Sequence, residues 1–95
     1  MLHDFTLAGR RVRLWQRPGE TYGHVLMKAL GYAMFVRRYP NLEIETKLGL
    51  RYTPDLIAFN GQNDYAFWGE CGLNSIRKTH WILKHTRTKK MVLFK

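Results

Sequence analysis

The sequence predicts one α+β domain in which a mixed sheet is flanked by two helices. Its 95 residues suit a single domain with a modest core, since 45% of them are hydrophobic. Apolar residues recur at helical spacing in two stretches, and the shorter stretches around them have the alternation of strands. The most informative segment is residues 51–72, which is typical of two apolar strands joined by a polar turn.

Composition excludes several classes of protein. The single cysteine, Cys71, excludes an intramolecular disulfide. The apolar runs are far shorter than a membrane span, and the N-terminus has no apolar stretch of signal-peptide length. A cytoplasmic protein without membrane contact is therefore expected.

The charge is strongly basic. Sixteen Lys and Arg stand against seven Asp and Glu, a formal net charge of +9, and seven of the basic residues lie between Arg77 and Lys95. Such an excess favours polyanions through phosphate contacts and counterion release. Nucleic acid is the expected partner; the alternative is a ribosome-associated or merely soluble basic protein.

The chain begins with a predicted β-hairpin over residues 2–16. Apolar residues alternate there with polar ones, and Ala8-Gly9-Arg10 offers a turn in which Gly can adopt a positive φ. Four arginines lie on or around this hairpin, at positions 10, 11, 13 and 17. They could contact phosphate or form a solvated strand face.

A first helix is predicted to begin near Thr21, a good N-cap, and to stop before Pro40. Its expected buried stripe is apolar and comprises Tyr22, Val25, Leu26, Ala29, Leu30, Ala33 and Val36. Glu20 lies at the N-terminal end, where an acidic residue favours the helix dipole. Residues 42–48 then alternate as a half-exposed strand. Glu43 and Glu45 share the face opposite Leu42 and Ile44 and are expected on its solvent side, although one of them could approach a metal bound at the end of the sheet.

A pair of carboxylates marks the two central strands. The strand at 56–59 follows Asp55, and the strand at 65–68 runs out through Glu70. Because the start of one hairpin strand lies beside the end of the other, Asp55 and Glu70 are predicted to meet at one end of the sheet. Such a pair suits a hard divalent cation such as Mg²⁺, although solvated turn residues produce the same pattern.

A second helix is expected after Gly72, capped by Asn74 or Ser75. Ile76, Thr79, His80 and Leu83 would share one face, and His80 is interpreted as a packed, hydrogen-bonded residue. Residues 86–88 are predicted to form a loop, and residues 90–95 a strand inside the sheet. Cys71 is expected to be buried.

From residue 20 onward, the order is helix, strand, strand, strand, helix, strand. With Pro54-Asp55 opening the second strand and Glu70-Cys71-Gly72 closing the third, this order resembles the PD-(D/E)XK nuclease superfamily. The local text is also similar to the YaeQ family, in which E-L-G precedes a basic helix. The resemblance covers residues 20–95 and implies a restriction-endonuclease-like core behind the N-terminal hairpin.

The resemblance implies metal-dependent hydrolysis of phosphodiester bonds. In the superfamily, the Asp and Glu hold one or two divalent ions, Mg²⁺ or Mn²⁺, against the scissile phosphate. Asp55 and Glu70 match these acids, both as catalytic residues and as metal ligands. Glu20 could correspond to a further metal-binding acid that some members carry on the first helix.

One residue of the family pattern is missing. A lysine two residues after the Glu orients water in the superfamily, but this position is Gly72. Some families place the cation on the following helix, where Lys78 is the first catalytic candidate and Arg77 the second. The two are not equivalent, because Arg cannot act as a base. Arg77, Lys84 and Arg51 are the predicted nucleic-acid contacts.

Two functions remain open at this point. The first is a Mg²⁺-dependent nuclease, and the alternative is a catalytically inactive nuclease-fold module that binds nucleic acid or a partner protein. The missing lysine favours the alternative. DNA is expected in preference to RNA, and exposed sheet edges favour a homodimer. Trp15 could stack on bases, whereas Trp68 and Trp81 are interpreted as core or dimer packing.

Overall fold

The computed structural model describes residues 1–7, 9–61, 64–72 and 75–94. These residues form two helices, α1 (Tyr22–Phe35) and α2 (Ile76–His85). They also form seven strands: β1 (Leu2–Leu7), β2 (Arg10–Trp15), β3 (Glu43–Ile44), β4 (Leu56–Phe59), β5 (Asp64–Cys71), β6 (Arg87–Thr88) and β7 (Met91–Phe94). The predicted mixed α+β architecture with an N-terminal hairpin is confirmed.

Strand β5 is the centre of the main sheet. On one side it pairs antiparallel with β4, which in turn pairs with β3. On its other side it pairs in parallel with β6 at Asp64 and Tyr65, and with β7 from Trp68 to Cys71. The sheet is therefore mixed, and β1 and β2 form a separate antiparallel hairpin. Within the described chain β7 pairs only with β5, so its predicted place inside the sheet is wrong.

Two predicted segments differ from the structure. The strand expected over 42–48 is reduced to Glu43–Ile44, because Glu45 has a left-handed φ of 54° that ends the extended conformation. The loop expected over 86–88 contains the short strand β6, whose pairing with β5 begins at Asp64. In residues 42–48 the alternation of apolar and polar residues correctly predicted a strand, but it does not show that the strand ends at Glu45.

The two helices pack on opposite faces of the sheet. Leu56, Ala58 and Phe67 belong to the core on the α1 side, together with Val12 and Leu14 of the hairpin. Ile57 and Trp68, which alternate with them along the strands, form the core on the α2 side around Ile82. Both faces of β4 and β5 are thus covered, and this explains why their residues form continuous apolar runs.

Helix α1 is shorter than the sequence predicted, and it buries a different set of residues. It ends at Phe35 with Val36 as C-cap, so Arg37 and Arg38 lie beyond it. Its buried positions include Val25, Ala29 and Val36, as expected, but also Lys28 and Tyr32, whereas Tyr22, Leu26 and Leu30 are exposed. The buried side of the helix therefore includes a lysine, paired with Glu20 and Glu45, in place of part of the most apolar stripe.

Side chains cap both helices. The hydroxyl of Thr21 accepts a hydrogen bond from the His24 amide at 3.1 Å, and that of Ser75 accepts one from the Lys78 amide at 3.0 Å. The other cap candidate, Asn74, lies outside the described residues, as do Ala8 of the first turn and Lys95 at the end of the last predicted strand. Neither helix has the length and apolar content that a membrane crossing requires.

Candidate active site

The pairing of β4 and β5 brings Asp55 and Glu70 to the same end of the sheet. Leu56 is opposite Gly69, so the residues just outside this pair are Asp55 and Glu70. Asp55 Oδ2 accepts a hydrogen bond from the Cys71 amide at 2.8 Å, which fixes its side chain against β5. The Asp55 side chain is 15% exposed and the Glu70 side chain only 2%.

Two donors hold the buried Glu70 carboxylate. The indole Nε1 of Trp68, two residues earlier on the same face of β5, donates to Oε2 at 2.8 Å. The ammonium group of Lys78 donates to Oε1 at 2.8 Å. Both oxygens of Glu70 therefore have a partner, and one of these partners carries a positive charge.

Helix α2 presents Lys78 to the sheet. Ile82, one turn later, is fully buried, and Lys78 lies above it on the same side of the helix. Ile76 is 89% exposed and Leu83 is also exposed, so the face predicted to be buried is directed to solvent. His80 on that face is exposed too, so its interpretation as a packed residue was wrong.

Helix α1 contributes a second charged group of residues to the same end of the sheet. Glu20 Oε2 lies 2.5 Å from His24 Nδ1 and accepts a hydrogen bond from Lys28 Nζ at 2.7 Å. His24 Nε2 lies 3.1 Å from the Cys71 carbonyl oxygen and 3.8 Å from Asp55 Oδ2. The imidazole ring therefore lies between Glu20 and Asp55, so the structure does not bring Glu20 directly to the central pair.

Glu45 completes this group. Its left-handed backbone follows β3, and its amide donates to the Asp55 carbonyl oxygen at 3.0 Å. Its carboxylate accepts from Lys28 Nζ at 2.9 Å and lies 3.1 Å from the Arg17 guanidinium. Glu45, expected on the solvent side, thus turns into the site, whereas Glu43 is exposed.

These side chains line an open cleft of about 490 Å³. Its walls comprise Arg17, Pro18, Gly19, Glu20, Thr21, His24, Glu45 and Asp55. The cleft opens at the ends of β4 and β5, on the α1 side of the sheet. It gives a solute access to Asp55, while Glu70 lies behind it and is almost completely covered by protein.

Burial and hydrogen bonding shift the pKa values of the acids in opposite directions. Burial raises the pKa of Asp55 and of Glu70, although the Cys71 amide and the Lys78 ammonium group oppose the two shifts. For Glu20, burial alone would raise the pKa, but the bonds from Lys28, the Arg17 amide and His24 outweigh it and lower the pKa to about 2. A cation bound nearby would therefore stabilise the ionised forms of Asp55 and Glu70 more than that of Glu20, which is already well stabilised.

The thiol beside them has a different character. Cys71 is buried, as predicted, and burial together with the Asp55 and Glu70 charges raises the pKa of its thiol to about 12. A thiolate is the reactive form of cysteine. Cys71 is therefore a packing residue, and its backbone amide and carbonyl are the groups that serve the site.

The remaining predicted contacts lie on the surface around α2. Arg77 and Lys84 are exposed on that helix, and Arg51 is exposed before β4. The Arg51 guanidinium lies 5.6 Å from the ring centroid of Tyr52, and Lys78 Nζ lies 5.4 Å from the same ring. Arg51 and Lys78 thus both lie against the ring of Tyr52.

The two central carboxylates fit a magnesium ion better than a metal that needs a protein cage. The described residues contain no group of three or more His, Cys, Asp or Glu side chains that could hold a metal. Mg²⁺ commonly takes only one or two carboxylates and completes its shell with water and substrate phosphate. In the described part of the chain, Asp55 Oδ1 has no hydrogen-bond donor, and each oxygen of Glu70 keeps a second lone pair.

Sequence reasoning missed two residues of the site. His24 and Lys28 follow Glu20 at intervals of four, which places all three in line along the start of α1. This spacing indicates that the three side chains can contact one another. It does not by itself predict a site, because a lysine in a helix is usually solvated, whereas the Lys28 side chain is fully buried and pairs with Glu20 and Glu45.

Among solved structures, the YaeQ protein from Xanthomonas axonopodis pv. citri is similar to this chain. The two share 20% sequence identity and a TM-score of 0.74, over 97% of this chain and 54% of that one. The chain therefore spans about half the length of the structure that it matches. A YaeQ-like fold is thereby shown. No protein-family model and no curated protein matches the chain.

Proposed function

We propose that the chain is a PD-(D/E)XK-type nuclease that hydrolyses phosphodiester bonds with a divalent cation at Asp55 and Glu70. One observation carries the proposal: two carboxylates of low exposure meet at the ends of adjacent strands, and the Lys78 ammonium group lies 2.8 Å from one of them. Lys78 would take the place of the motif lysine that is missing at Gly72.

Each of the three side chains has a distinct role in this proposal. Asp55 and Glu70 would hold the cation, and when bound it would supply Lewis-acid polarisation of the phosphate and a more acidic water. Lys78 orients Glu70 and places a positive charge where negative charge accumulates on the phosphate in the transition state. Low exposure strengthens all three interactions, because it lowers the effective dielectric constant around them.

The proposed substrate is nucleic acid, with DNA preferred to RNA. The net charge of +9 supports a nucleic-acid substrate, as do Arg51, Arg77 and Lys84, which are exposed on the α2 side of the site. Phosphate contacts of this kind make binding weaken steeply with increasing salt.

The experiment is a cleavage assay on plasmid DNA, single-stranded DNA and RNA with Mg²⁺, Mn²⁺ or EDTA. Glu70→Gln removes the charge of the buried acid and keeps its shape. Asp64→Asn is the matched control, because Asp64 lies at the opposite end of β5. We expect metal-dependent cleavage by the wild type and by Asp64→Asn, with none by Glu70→Gln. Equal backgrounds in all three proteins would refute the nuclease.

A second function, binding without cleavage, is favoured by the charge balance of the site. Four carboxylates, those of Glu20, Glu45, Asp55 and Glu70, already face the cations of Arg17, Lys28 and Lys78 and the ring of His24. A site neutralised in this way needs no metal to be stable. Salt-dependent binding of DNA without cleavage, and without any Mn²⁺-induced rise in Tm, would support this function.

We also propose a homodimer, supported by an exposed apolar stripe on α1. Tyr22, Leu26, Leu30 and Met34 recur every four residues and are all exposed. A second copy of the chain would cover them in a symmetric contact. Light scattering should give twice the monomer mass, and Leu30→Lys should give the monomer mass; a monomeric wild type would refute the dimer.

A further inference from the structure

The solvent face of β2 carries two arginines and a tryptophan in a row. Val12 and Leu14 are buried under the hairpin, so Arg11, Arg13 and Trp15 lie together on the opposite face. The Trp15 side chain is 64% exposed. An aromatic ring that is exposed between basic side chains offers a surface on which a nucleobase can stack.

This face leads directly to the proposed active site. The Arg17 amide donates to Glu20 Oε1 at 3.1 Å, and the Gln16 amide group donates to the Glu20 carbonyl at 2.9 Å. These bonds fix the end of β2 at the start of α1. A cleft of about 340 Å³, lined by Arg13, Leu14, Trp15, Arg17, Ile44 and Glu45, therefore shares Arg17 and Glu45 with the cleft that reaches Asp55.

We propose that the β2 face binds single-stranded nucleic acid and leads it to the Asp55–Glu70 site. Trp15 stacks on one base, and Arg13 and Arg17 contact the phosphates on either side of it. The role of this surface in substrate choice rests on the proposed nuclease function, but the binding itself does not require cleavage.

An open strand fits this surface better than a duplex. A tryptophan can stack only on a base whose face is free, and duplex bases are already stacked on their neighbours. Both arginines are more than half exposed and can therefore reach a phosphate. Arg13 Nε lies 3.0 Å from Asp4 Oδ1 in a pair that is exposed on both sides, and such pairs are weak and easily exchanged. The Arg17 guanidinium lies 3.1 Å from Oε2 of Glu45, whose side chain is 18% exposed.

The test measures binding in EDTA by fluorescence anisotropy, so that cleavage plays no part. The probes are a labelled oligothymidylate, the same backbone without bases, and a duplex of equal length. We expect the oligothymidylate to bind tighter than the other two. Trp15→Ala should weaken that binding at least about fivefold while leaving the abasic probe unaffected, and Trp15→Phe should restore most of it.

Arginine variants test the phosphate contacts against a control of equal charge. Arg17→Ala should lower affinity for the oligothymidylate and reduce its salt dependence, since it removes a phosphate contact. Arg87→Ala lowers the net charge equally but lies at the far end of β5, so it should have a much smaller effect. Equal binding of the duplex, or unchanged binding by Trp15→Ala, would overturn the proposal. Tight binding by a chain that cuts nothing would refute only the nuclease.

Discussion

The ammonium group of Lys78 donates to Glu70 Oε1 at 2.8 Å, and so joins α2 to the central strand across eight residues of sequence. Glu70 has almost no contact with solvent, and burial raises the pKa of its carboxyl group. The hydrogen bond and positive charge of Lys78 oppose that rise in the pKa and so favour the ionised Glu70 carboxylate. This contact therefore links the position of α2 to the charge of the proposed site.

Removing the Lys78 charge should weaken both the fold and the proposed activity. Lys78→Met keeps the apolar stem but leaves the Glu70 carboxylate without its charged donor, so the free energy of unfolding should fall by about 2 kcal/mol. Cleavage should fall by at least about 100-fold. Lys84→Met, exposed on the same helix, is the control for stability alone, because Lys84 is itself a proposed nucleic-acid contact, and it should change stability by less than about 0.5 kcal/mol. Urea denaturation and the cleavage assay measure the two effects, and a fully active Lys78→Met would contradict the assigned role.

Placing a lysine at position 72, where the PD-(D/E)XK pattern has one, should not help this chain. Gly72 has a φ of +89°, which an L-residue adopts only at a cost of about 1–2 kcal/mol. A Cβ there would lie 3.6 Å from His24 Cδ2, an ordinary van der Waals contact, so the cost comes from the backbone angle. Gly72→Lys should therefore lower the Tm without raising the cleavage rate.

Gly49→Lys is the control for that strain, because Gly49 has a φ of +74° and open space around it. The two variants should be destabilised to a similar degree. A Gly72→Lys protein that is stable and more active would show that the motif position is still functional.

Two glycines of α1 should respond to alanine in opposite ways. A Cβ at Gly31 would lie 2.9 Å from Leu56 Cδ1 and 3.1 Å from Phe94 Cζ, so Gly31→Ala should cost about 1–3 kcal/mol through overpacking. A Cβ at Gly23 would have its nearest contact at 3.8 Å, with Thr21 Oγ1. Gly23→Ala should stabilise the helix by up to about 1 kcal/mol. Thermal unfolding of the two variants compares them, and a stabilised Gly31→Ala would mean that α1 does not approach the sheet this closely.

Acid should destabilise the fold mainly through Glu20. Its pKa lies near 2 in the folded chain against 4.5 ordinarily, so the unfolded chain binds more protons in this interval and stability falls as the pH falls from about 5 to 2. Burial raises the pKa of Asp55 and Glu70, so their protonation favours the folded state and opposes the loss.

Glu20→Gln should flatten the acid limb, which is the fall in stability as the pH decreases from about 5 to 2. It should also lower stability at neutral pH, because Lys28 then loses one of its two partners. Glu43→Gln, an exposed acid on β3, should leave the limb unchanged. Urea denaturation over the same pH range measures both variants. An acid limb that is equally steep without Glu20 would assign the pH dependence to another group.

The order of elements could be predicted because strands and helices leave different periods in the sequence. The meeting of Asp55 and Glu70 also followed from the sequence, since a hairpin fixes which ends are adjacent. The end of β3 could not be predicted, because the left-handed φ of Glu45 leaves no trace in the alternation of its neighbours. That single backbone angle turns Glu45 into the site.

The charged contacts of Lys28 and Lys78 could not be predicted from the sequence for a related reason. The sequence predicts that Ile76 and Leu83 share one face of α2, and Lys78 does not lie on that face. Ile82 is buried instead, and the helix turns accordingly. Long side chains such as Lys28 and Lys78 reach their partners across elements, and their contacts depend on helix rotations that the hydrophobic pattern of a short helix does not determine.

The most direct test of the account is a double-mutant cycle on the cleavage rate, with wild type, Asp55→Asn, Glu70→Gln and the double variant at saturating Mg²⁺. If the two carboxylates hold one cation, each single variant should lose at least about 100-fold, and the double variant should be no slower than the worse single one. Cleavage by the double variant at the wild-type rate would contradict the account, and so would the absence of metal-dependent cleavage by the wild type.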